Sequence, residues 1–347
     1  MRKNIKVLIQ GSDNVGWSVD QDRINLIDIL KTIDGIELTT NYYKADIIHN
    51  VWWNTSFGKL NTLKRILFKR KILLTASNFI DLENSKYHNI NLFNEANKFS
   101  YAWISPSLKQ HRILIRNNFK SYYLPFIVSN KKFYKISKKK KEIFKDLGLN
   151  PSIFKNKIII SSFQRDTLAD LKTPKWQKNP LGIINILNKL PKNSSILLIC
   201  GPRRHFIRKK CNDYNIPYFF YGKETENDDL QLNNLDEETV NKLYNISDIY
   251  LNTSKSEGGP KSIIESILTS TIIFSTDVGI ASDFLEERFL LTHENLNNDL
   301  IKKIVESKVN TQFLNDTRLN NLRKYDLIYS KYQKLVKDIY FDVLDEI

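Results

Sequence analysis

Short apolar segments alternate with amphipathic helical segments along most of the 347 residues. This alternation favours an α/β architecture with parallel sheets, because each helix connects one buried strand to the next. The predicted strands of the first half are Ile5–Gln10, Ile36–Thr40, Ala45–Asn50, Ile72–Ala76 and Tyr101–Ser105. The predicted helices of the first half are Asp20–Ile33, Gly58–Lys69 and Leu108–Asn117.

A second alternating series follows in the other half of the chain. Its predicted strands are Lys157–Ser162, Ser195–Cys200, Tyr218–Tyr221, Ile249–Asn252 and Ile272–Ser275. Its predicted helices are Leu181–Leu190, Arg204–Tyr214, Glu237–Asn245, Pro260–Leu268, Asn295–Ser307 and a long terminal helix from Thr317 to Asp342. Both halves have the pattern of a doubly wound, Rossmann-like domain, and two such domains facing each other leave a central cleft at the carboxyl ends of their strands.

Lysines mark the boundary between the two halves. Lys131, Lys132, Lys135 and the run Lys138–Lys141 indicate a solvated linker or an exposed helix, with contact to an anionic surface as the alternative. The predicted organisation is therefore an N-terminal domain over 1–128, a basic linker region over 129–156, a C-terminal domain over 157–316 and a terminal helix over 317–347.

The charge and the cysteine content limit the kinds of partner and compartment that suit this protein. The formal net charge of +15 favours a polyanionic partner, and nucleic acid, an anionic membrane surface and phosphorylated small molecules all qualify. Two cysteines, Cys200 and Cys211, are too few for a disulfide framework and too far apart for a Cys-x-x-Cys metal pair, so a reducing cytoplasm is expected. No apolar run approaches the roughly 20 residues that span a bilayer, and the N-terminus has the pattern of a first strand rather than of a signal peptide.

The segment Ile249–Glu265, with the sequence IYLNTSKSEGGPKSIIE, has the strongest functional pattern. An apolar strand is followed by a polar loop, in which Gly258 and Gly259 allow the backbone to approach a ligand closely. Pro260 suits a first helical position, because its missing N–H is not needed there. The segment therefore predicts a strand, a ligand-binding loop and a helix in direct succession.

An anion site is expected at the start of that helix. The N–H groups of Lys261 and Ser262 point out of the helix start together with its dipole, which suits a diphosphate. Glu257 stands in the loop just before, and the carboxylate of Glu265 could accept two hydrogen bonds from a ribose diol. By themselves, two glutamates in a chain with 38 acidic residues are best interpreted as solvated carboxylates.

The composite pattern S-x-x-E-G-x-P-x-x-x-x-E, from Ser254 to Glu265, is more specific. It resembles the E-x7-E signature of the retaining family 4 glycosyltransferases (glycosyl transferases group 1), and Ile272–Ile280 resembles the family's next strand and glycine loop. The resemblance implies a GT-B fold of two Rossmann-like domains facing a central cleft. It also implies sugar transfer from a UDP- or GDP-sugar to a glycan or lipid-linked acceptor, without a cofactor or a metal.

Further segments resemble the donor domain of that family. Ser161–Asn179 takes the place of the loop whose arginine and lysine hold the donor diphosphate; Arg165 is the candidate arginine and Lys178 the candidate lysine, with Lys172 and Lys175 as alternatives. Asn179 stands where the family usually has glycine. The stretch ending at Lys223 resembles the one whose backbone brackets the nucleobase, and the terminal helix resembles the one that returns to the N-terminal, acceptor-binding domain.

The resemblance is weaker in the first half. Gly11–Gly16 fits the family's first glycine loop, which borders the donor phosphate, although an ordinary strand–helix turn at Gly16 is the alternative. The histidine that many relatives carry after the fourth strand is absent, with Ser77 and Asn78 as candidates for its position. His49 is interpreted as a core or loop histidine, and the adjacent Trp52 and Trp53 either stack on a sugar or pack.

The mechanism implied by the resemblance is electrostatic. Arg165, Lys178 and the helix start at Lys261 would stabilise charge on the departing diphosphate. Glu257 would hold the hydroxyls of the donor sugar or support the positively charged ring, so the catalytic candidates are Glu257, Arg165 and Lys178.

A basic amphipathic segment, Phe57–Lys71, bears on localisation. It mixes six large apolar residues with six cations, which suits a helix lying on an anionic bilayer. A domain-surface helix with one face packed inward is the alternative. On the membrane interpretation, the protein is cytoplasmic and peripheral on the inner face, and it serves assembly of a surface polysaccharide.

Two other functions compete with glycosyl transfer. One is another GT-B enzyme acting on sugar nucleotides, such as an epimerase, and the other is a nucleic-acid-binding protein suggested by the charge. The sequence has no helix-turn-helix, aromatic RNA-binding or zinc-finger pattern, so no nucleic-acid partner is expected. The histidines form no ligand pattern, so no metal site is expected either.

Overall fold

A computed structural model describes residues 4–12, 18–55, 71–84, 86–292 and 299–345. The chain divides into two compact units, one formed by Met1–Ile127 with Asp326–Ile347 and the other by Val128–Tyr325. The predicted glycine loop at Gly16 and most of the basic segment Phe57–Lys71 lie outside the described residues.

In the described part of the first unit, six parallel strands form one sheet in the order β2-β1-β3-β4-β5-β6. The strands are β1 (Ile5–Gln10), β2 (Ile36–Leu38), β3 (Ile47–Asn50), β4 (Lys71–Thr75), β5 (Ala102–Ser105) and β6 (Ser121–Tyr123). The helices here are α1 (Ser18–Leu30), α2 (Ile90–Asn97) and α3 (Leu108–Arg116). The order reverses at β1 and β3, which is the arrangement of a doubly wound sheet.

The second unit repeats this plan. Its described residues form a parallel sheet in the order β12-β11-β10-β7-β8-β9. The strands are β7 (Ile158–Ser162), β8 (Ser195–Cys200), β9 (Tyr218–Tyr221), β10 (Ile249–Asn252), β11 (Ile272–Thr276) and β12 (Leu290–Leu291). The helices are α4 (Lys140–Asp146), α5 (Pro180–Leu187), α6 (His205–Asp213), α7 (Glu237–Ile246), α8 (Lys261–Leu268), α9 (Ala281–Phe284), α10 (Asp299–Val305) and α11 (Thr311–Asp345).

The last part of α11 belongs to the core of the first unit. Tyr332, Val336, Tyr340 and Val343 are buried in one apolar cluster with Val7 of β1. Apolar side chains recur every three to four residues in this part of the helix, which places them on one face. The helix begins six residues before its predicted start and ends three residues beyond its predicted end.

The segment predicted as a basic linker, 129–156, lies in the second unit. Ile143 and Phe144 of α4 are buried in a cluster with residues of β7, β8 and α7. The backbone N–H groups of Tyr134 and Ile136 donate to side chains of α7, at 3.1 and 2.9 Å. The lysines of this segment therefore cover a packed element, because the apolar pair inside the basic run supplies a buried face.

Candidate functional site

The loop between β10 and α8 lies at the carboxyl edge of the second sheet, beside the loop that follows β7. Because β7 and β10 are neighbouring parallel strands, their following loops emerge side by side. Thr253 Oγ1 donates to the carbonyl of Asn179 at 2.9 Å, and the N–H of Lys255 donates to the carbonyl of Gln177 at 2.7 Å. The two segments singled out in the sequence are thus joined by hydrogen bonds.

Glu257 and Lys178 meet where these loops join. The Lys178 ammonium donates to Oε1 of Glu257, and the two side chains are 22% and 15% exposed. Asn179, which follows the lysine, adopts a left-handed conformation with φ of 44°. Asparagine tolerates that region better than most residues, which explains how it can stand where the family usually has glycine.

A serine and a glutamine support the glutamate. Ser254 Oγ lies 2.8 Å from Oε1 of Glu257 and 2.9 Å from Oε1 of Gln164, but a hydroxyl has a single proton to donate. Gln164 Nε2 is buried and has no hydrogen-bond partner. Turning the Gln164 amide over lets Nε2 donate to Ser254 and leaves the hydroxyl proton for Glu257, so both contacts of the serine can form at once.

Three cations from the loop after β7, Arg165, Lys175 and Lys178, influence one another electrostatically, and Lys178 and Lys175 interact with this glutamate. Burial lowers the pKa of Lys175 to about 8, the charges of Arg165 and Lys178 act in the same direction, and Glu257 opposes them. Arg165 itself is half-buried. Since the mutual repulsion of these cations is relieved by an anion, the cluster is suited to binding one.

Helix α8 begins directly after the glutamate loop. Its first residue is Lys261, and Pro260 is the N-cap rather than the first helical residue, because its ψ of 109° is extended. The neighbouring glycine loop packs closely on this turn: a Cβ on Gly279, whose φ is +53°, would lie 2.6 Å from Cδ of Pro260 and 2.8 Å from the carbonyl oxygen of Gly258. Gly258 is buried and Gly259 is half-buried. The first N–H groups of a helix have no intrahelical partner, so this end of α8 favours an anion.

Glu265 lies one turn into the same helix and is half-buried. Its Oε2 accepts a hydrogen bond from Tyr244 at 2.8 Å. Burial raises the pKa of Glu265, and the hydrogen bond from Tyr244 acts in the opposite direction. One carboxylate oxygen of Glu265 is therefore held by the protein.

Lys223 follows the edge strand β9, three strands from β10. At about 4.8 Å per strand, this separation is about 14 Å across the sheet. Its backbone N–H donates to Oδ1 of Asn233 at 2.7 Å, and its carbonyl accepts from Nδ2 of Asn233 at 2.9 Å. The structure therefore does not bring Lys223 together with Glu257. The backbone of Lys223, which was expected to bracket a base, is hydrogen-bonded to Asn233.

Residues 171–325 match the family model described as glycosyl transferases group 1. The matched residues lie within the second unit, Val128–Tyr325. This group 1 match covers Lys178, Glu257 and Glu265, whereas Arg165 precedes it. No curated protein matches the chain.

Three solved structures, two of them described as glycosyltransferases, resemble nearly the whole chain. HepE of Anabaena, in complex with UDP and glucose, has 12% sequence identity and a TM-score of 0.70, with 99% of this chain and 100% of HepE covered. A glycosyltransferase from Rickettsia africae has 16% identity and a TM-score of 0.67, with 99% of each chain covered. WaaG, a glycosyltransferase involved in lipopolysaccharide biosynthesis, has 12% identity and a TM-score of 0.65, with 98% of this chain and 100% of WaaG covered. Together with the two parallel sheets, these likenesses confirm the predicted GT-B fold.

The first unit holds fewer of the predicted group 1 site residues. His49 is 1% exposed, with Nδ1 2.5 Å from the hydroxyl of Tyr340 and Nε2 2.7 Å from Oγ1 of Thr75, so it is a satisfied core histidine as interpreted from the sequence. Trp53 is fully buried and packs edge-on against Trp103, which excludes sugar stacking by that residue. Gly16 lies outside the described residues.

Four residues that hydrogen-bond to predicted site residues or to the segments around them were not singled out in the sequence: Gln164, Asp166, Asn233 and Tyr244. Each acts through a contact with a residue at least ten positions away, which no local pattern records. Across the described ranges, no group of three or more His, Cys, Asp or Glu side chains is placed to hold a metal ion. No described helix is both long enough and apolar enough to cross a membrane.

Proposed function

We propose that this protein is a retaining glycosyltransferase that moves a sugar from a UDP- or GDP-sugar to a glycan or lipid-linked acceptor, in the biosynthesis of a surface polysaccharide. The observation that carries the proposal is the ion pair of Lys178 with Glu257 at the carboxyl edge of the second sheet, directly before the N-terminus of α8. Lys178 and Glu257, which come from separate parts of the sequence, are in contact there.

The proposed role of the cations is to stabilise the leaving group. When the bond between the sugar C1 and the phosphate oxygen breaks, negative charge develops on the departing nucleoside diphosphate. Arg165 and Lys178, with the start of α8 at Lys261 and Ser262, face that charge with preorganised positive groups. Lys175 belongs to the same cluster, since its ammonium is coupled to both Arg165 and Lys178.

The proposed role of Glu257 is on the sugar side of the breaking bond. Its carboxylate accepts hydrogen bonds from the hydroxyls of the donor sugar and offsets positive charge on the ring. The acceptor hydroxyl attacks C1 from the face that the diphosphate leaves, and its proton moves to a departing phosphate oxygen. A new bond from C1 to the acceptor oxygen replaces the bond to phosphate, so the configuration is retained without a covalent enzyme intermediate.

Donor binding requires Lys178 to change partners. Its ammonium donates a hydrogen bond to Glu257. A diphosphate offers a more negative partner, and its arrival leaves Glu257 available to the sugar, with Ser254 still at 2.8 Å from the carboxylate. The ion pair thus keeps two partly buried charges compensated until the substrate replaces each partner.

The nucleoside half has its own proposed contacts. Glu265, one oxygen of which is held by Tyr244, accepts hydrogen bonds from the ribose hydroxyls. The distance of about 14 Å between β10 and β9 suits an extended nucleotide, whose base reaches the region of Lys223. Because Asn233 engages both backbone groups of Lys223, base recognition there displaces Asn233 or uses neighbouring groups.

UDP-glucose is the first donor to test. HepE was crystallised with UDP-glucose as well as with UDP and glucose, and its likeness covers 99% of this chain. The experiment incubates the purified chain with a panel of UDP- and GDP-sugars and measures thermal shift and release of the nucleoside diphosphate, with and without glycan acceptors. Stabilisation by one nucleotide sugar and an acceptor-dependent product with the donor's anomeric configuration would support the proposal. Inversion at C1, or binding of no nucleotide sugar, would refute it.

The proposal includes independence from a metal, because the cations perform the neutralisation that a divalent ion supplies elsewhere. The test repeats the turnover assay after exhaustive treatment with EDTA and again with added Mg²⁺ or Mn²⁺. Turnover unchanged by both treatments agrees with the proposal, whereas loss on chelation that a divalent ion restores contradicts it.

Peripheral association with the cytoplasmic face of a membrane is also proposed, with the lipid-linked acceptor reached there. Its support is the net charge of +15 and the basic amphipathic sequence Phe57–Lys71. Flotation with liposomes containing anionic lipid, at low and high salt, tests this part. Absence of binding at low salt would remove it and leave the donor chemistry unaffected.

A further inference from the structure

Asp166 immediately follows Arg165 in the loop after β7, yet its side chain is only 2% exposed. Its carboxylate accepts the backbone N–H of Phe206 at Oδ1 and of Ile207 at Oδ2, both at 3.3 Å. Oδ2 also lies 3.6 Å from Nε of Arg204, which is itself 1% exposed. Asp166 therefore binds the first turn of α6 and a buried cation at the same time.

The backbone of Asp166 is held as firmly as its side chain. Its N–H donates to the carbonyl of Arg203 at 3.1 Å, and its carbonyl accepts the N–H of Lys175 at 2.7 Å. Thr167 and Pro174 form a short antiparallel bridge next to this point. One residue thus fixes both limbs of the loop, with Arg165 adjacent on the first limb and Lys175 directly bonded on the second.

This arrangement costs stability. Burial raises the pKa of Asp166 to about 6, although the attraction of Arg204 opposes the shift. Nε and Nη1 of Arg204 are buried without a hydrogen-bond partner, while Nη2 donates to the carbonyl of Ser162 at 2.8 Å. Replacing a buried ion pair by apolar residues of similar size commonly leaves a protein equally stable or makes it more stable. Stability alone therefore does not explain a buried ion pair at this position.

We propose that Asp166, together with Arg204, is a positioning residue that fixes the loop 163–179 and so places Arg165, Lys175 and Lys178 for the donor diphosphate. The inference rests on the proposed function for its meaning and on the described contacts for its geometry. Asp166 does not touch the substrate, because it is buried beneath the loop it holds. Its effect reaches the diphosphate through the backbone of Arg165 and Lys175.

The first test compares Asp166→Asn with Asp170→Asn. Asp170 is an exposed aspartate at the tip of the same loop, where its Oδ1 accepts the N–H groups of Lys172 and Thr173 at 3.0 and 2.9 Å. Asp166→Asn is expected to speed amide hydrogen exchange of the segment 163–179 at least fivefold and to weaken UDP-glucose binding at least fivefold, whereas Asp170→Asn changes binding less than twofold. Exchange in β5 of the first unit, Ala102–Ser105, should not change in either variant.

A second test uses the pH dependence of UDP-glucose affinity. The charged and titratable groups that face Asp166 in the described structure are Arg204, His205 and Cys211. Acidification ordinarily strengthens anion binding, because it makes a protein more positive. Protonation of Asp166 releases its hold on Arg204, so affinity should instead fall severalfold as pH drops from about 7 to about 5. Asp166→Asn should remove that fall.

The outcomes separate the two hypotheses. If the wild-type chain binds no nucleotide sugar, the proposed function fails, and the exchange comparison still decides whether Asp166 fixes the loop. If Asp166→Asn leaves both the exchange of 163–179 and the affinity unchanged, or speeds exchange equally in Ala102–Ser105, the positioning role is refuted. If that variant does not fold, affinity of the wild-type chain that rises steadily on acidification refutes it.

Discussion

Lys178 and Glu257 are 79 positions apart in the chain and form an ion pair within the second unit. The lysine follows β7 and the glutamate follows β10, and these strands are adjacent in the sheet. Each side chain is less than one-quarter exposed, so the pair is stronger than a surface ion pair and costlier to break from one side. This relationship makes the two residues the first targets for mutation.

Glu257→Gln removes the charge of the proposed sugar-facing carboxylate while keeping its shape. We expect kcat to fall at least about 100-fold, since one preorganised electrostatic group is commonly worth about 2.7–4 kcal/mol in the transition state. Steady-state turnover of the nucleotide sugar measures this. Glu238→Gln, at an exposed glutamate of α7, is the control and should retain wild-type activity; comparable activity of Glu257→Gln would exclude a catalytic role.

Lys178→Ala should weaken donor binding, because it removes a cation from the proposed diphosphate site and leaves Glu257 without its partner. The expected loss in affinity for UDP-glucose is about 10-fold or more, corresponding to about 1.4 kcal/mol or more. Isothermal titration calorimetry provides the measurement. Lys172→Ala changes an exposed lysine of the same loop and should bind normally, so equal losses in the two variants would point to general charge rather than to a site.

The lowered pKa of Lys175 predicts a pH dependence on the alkaline side. Its ammonium titrates at about 8, below the usual value of a lysine, and a diphosphate binds the protonated form. Affinity for UDP-glucose should therefore fall as pH rises through about 8. Lys175→Arg keeps the positive charge at all these pH values and should flatten the curve; an unchanged alkaline fall in that variant would assign it to another group.

Gly279→Ala tests the contact between the glycine loop and the start of α8. The added Cβ meets both a left-handed backbone and a close approach of Pro260 and Gly258. Gly148→Ala is the matched control, because Gly148 also has a positive φ, of 67°, but nothing lies within 4 Å of its Cβ position. Chemical denaturation should show Gly279→Ala to be less stable than Gly148→Ala by at least about 1 kcal/mol, which is the usual cost of overpacking. Equal losses would mean that only backbone strain matters.

The buried His49 predicts an acid-sensitive contribution to stability. Burial lowers its pKa from 6.5 to about 3 in the folded protein, so between these values the unfolded chain binds the extra proton. The free energy of unfolding should decrease as pH falls below about 6.5, and His49→Gln should lack this component. His88→Gln, at an exposed histidine, should behave as wild type. A pH dependence of His49→Gln identical to that of the wild type would contradict the assignment.

Strand positions were the most predictable part of the fold. Ile5–Gln10, Ser195–Cys200, Tyr218–Tyr221 and Ile249–Asn252 have the bounds expected from the sequence. Each is a predominantly apolar run ended by a glycine or a polar residue, and burial on both faces of a parallel sheet demands such runs. The helix Ile90–Asn97 was not predicted; it is only eight residues long, and only Phe93 and Ala96 are buried in it.

The sequence offered the site residues as separate candidates and gave no set of contacts among them. Resemblance selected Glu257 and Lys178 separately, and the structure adds that they meet. The hydrogen bonds of Asp166 to Phe206 and Ile207 join positions about forty residues apart, so no spacing in the sequence indicates them. The hold of Asn233 on Lys223 is hidden for the same reason, because a lone asparagine in a polar loop has no distinguishing pattern.

The terminal part of α11 has a consequence for synthesis on the ribosome. The first unit takes part of its core, including Val336 and Tyr340, from residues translated more than two hundred positions after its sheet. Domains generally fold as units while the chain emerges, N-terminal first. Here that order is reversed, because all residues of the second unit are translated before Tyr340, the partner of His49 in the first unit. The sheet of the first unit therefore keeps an exposed apolar face until the end of α11 has been translated.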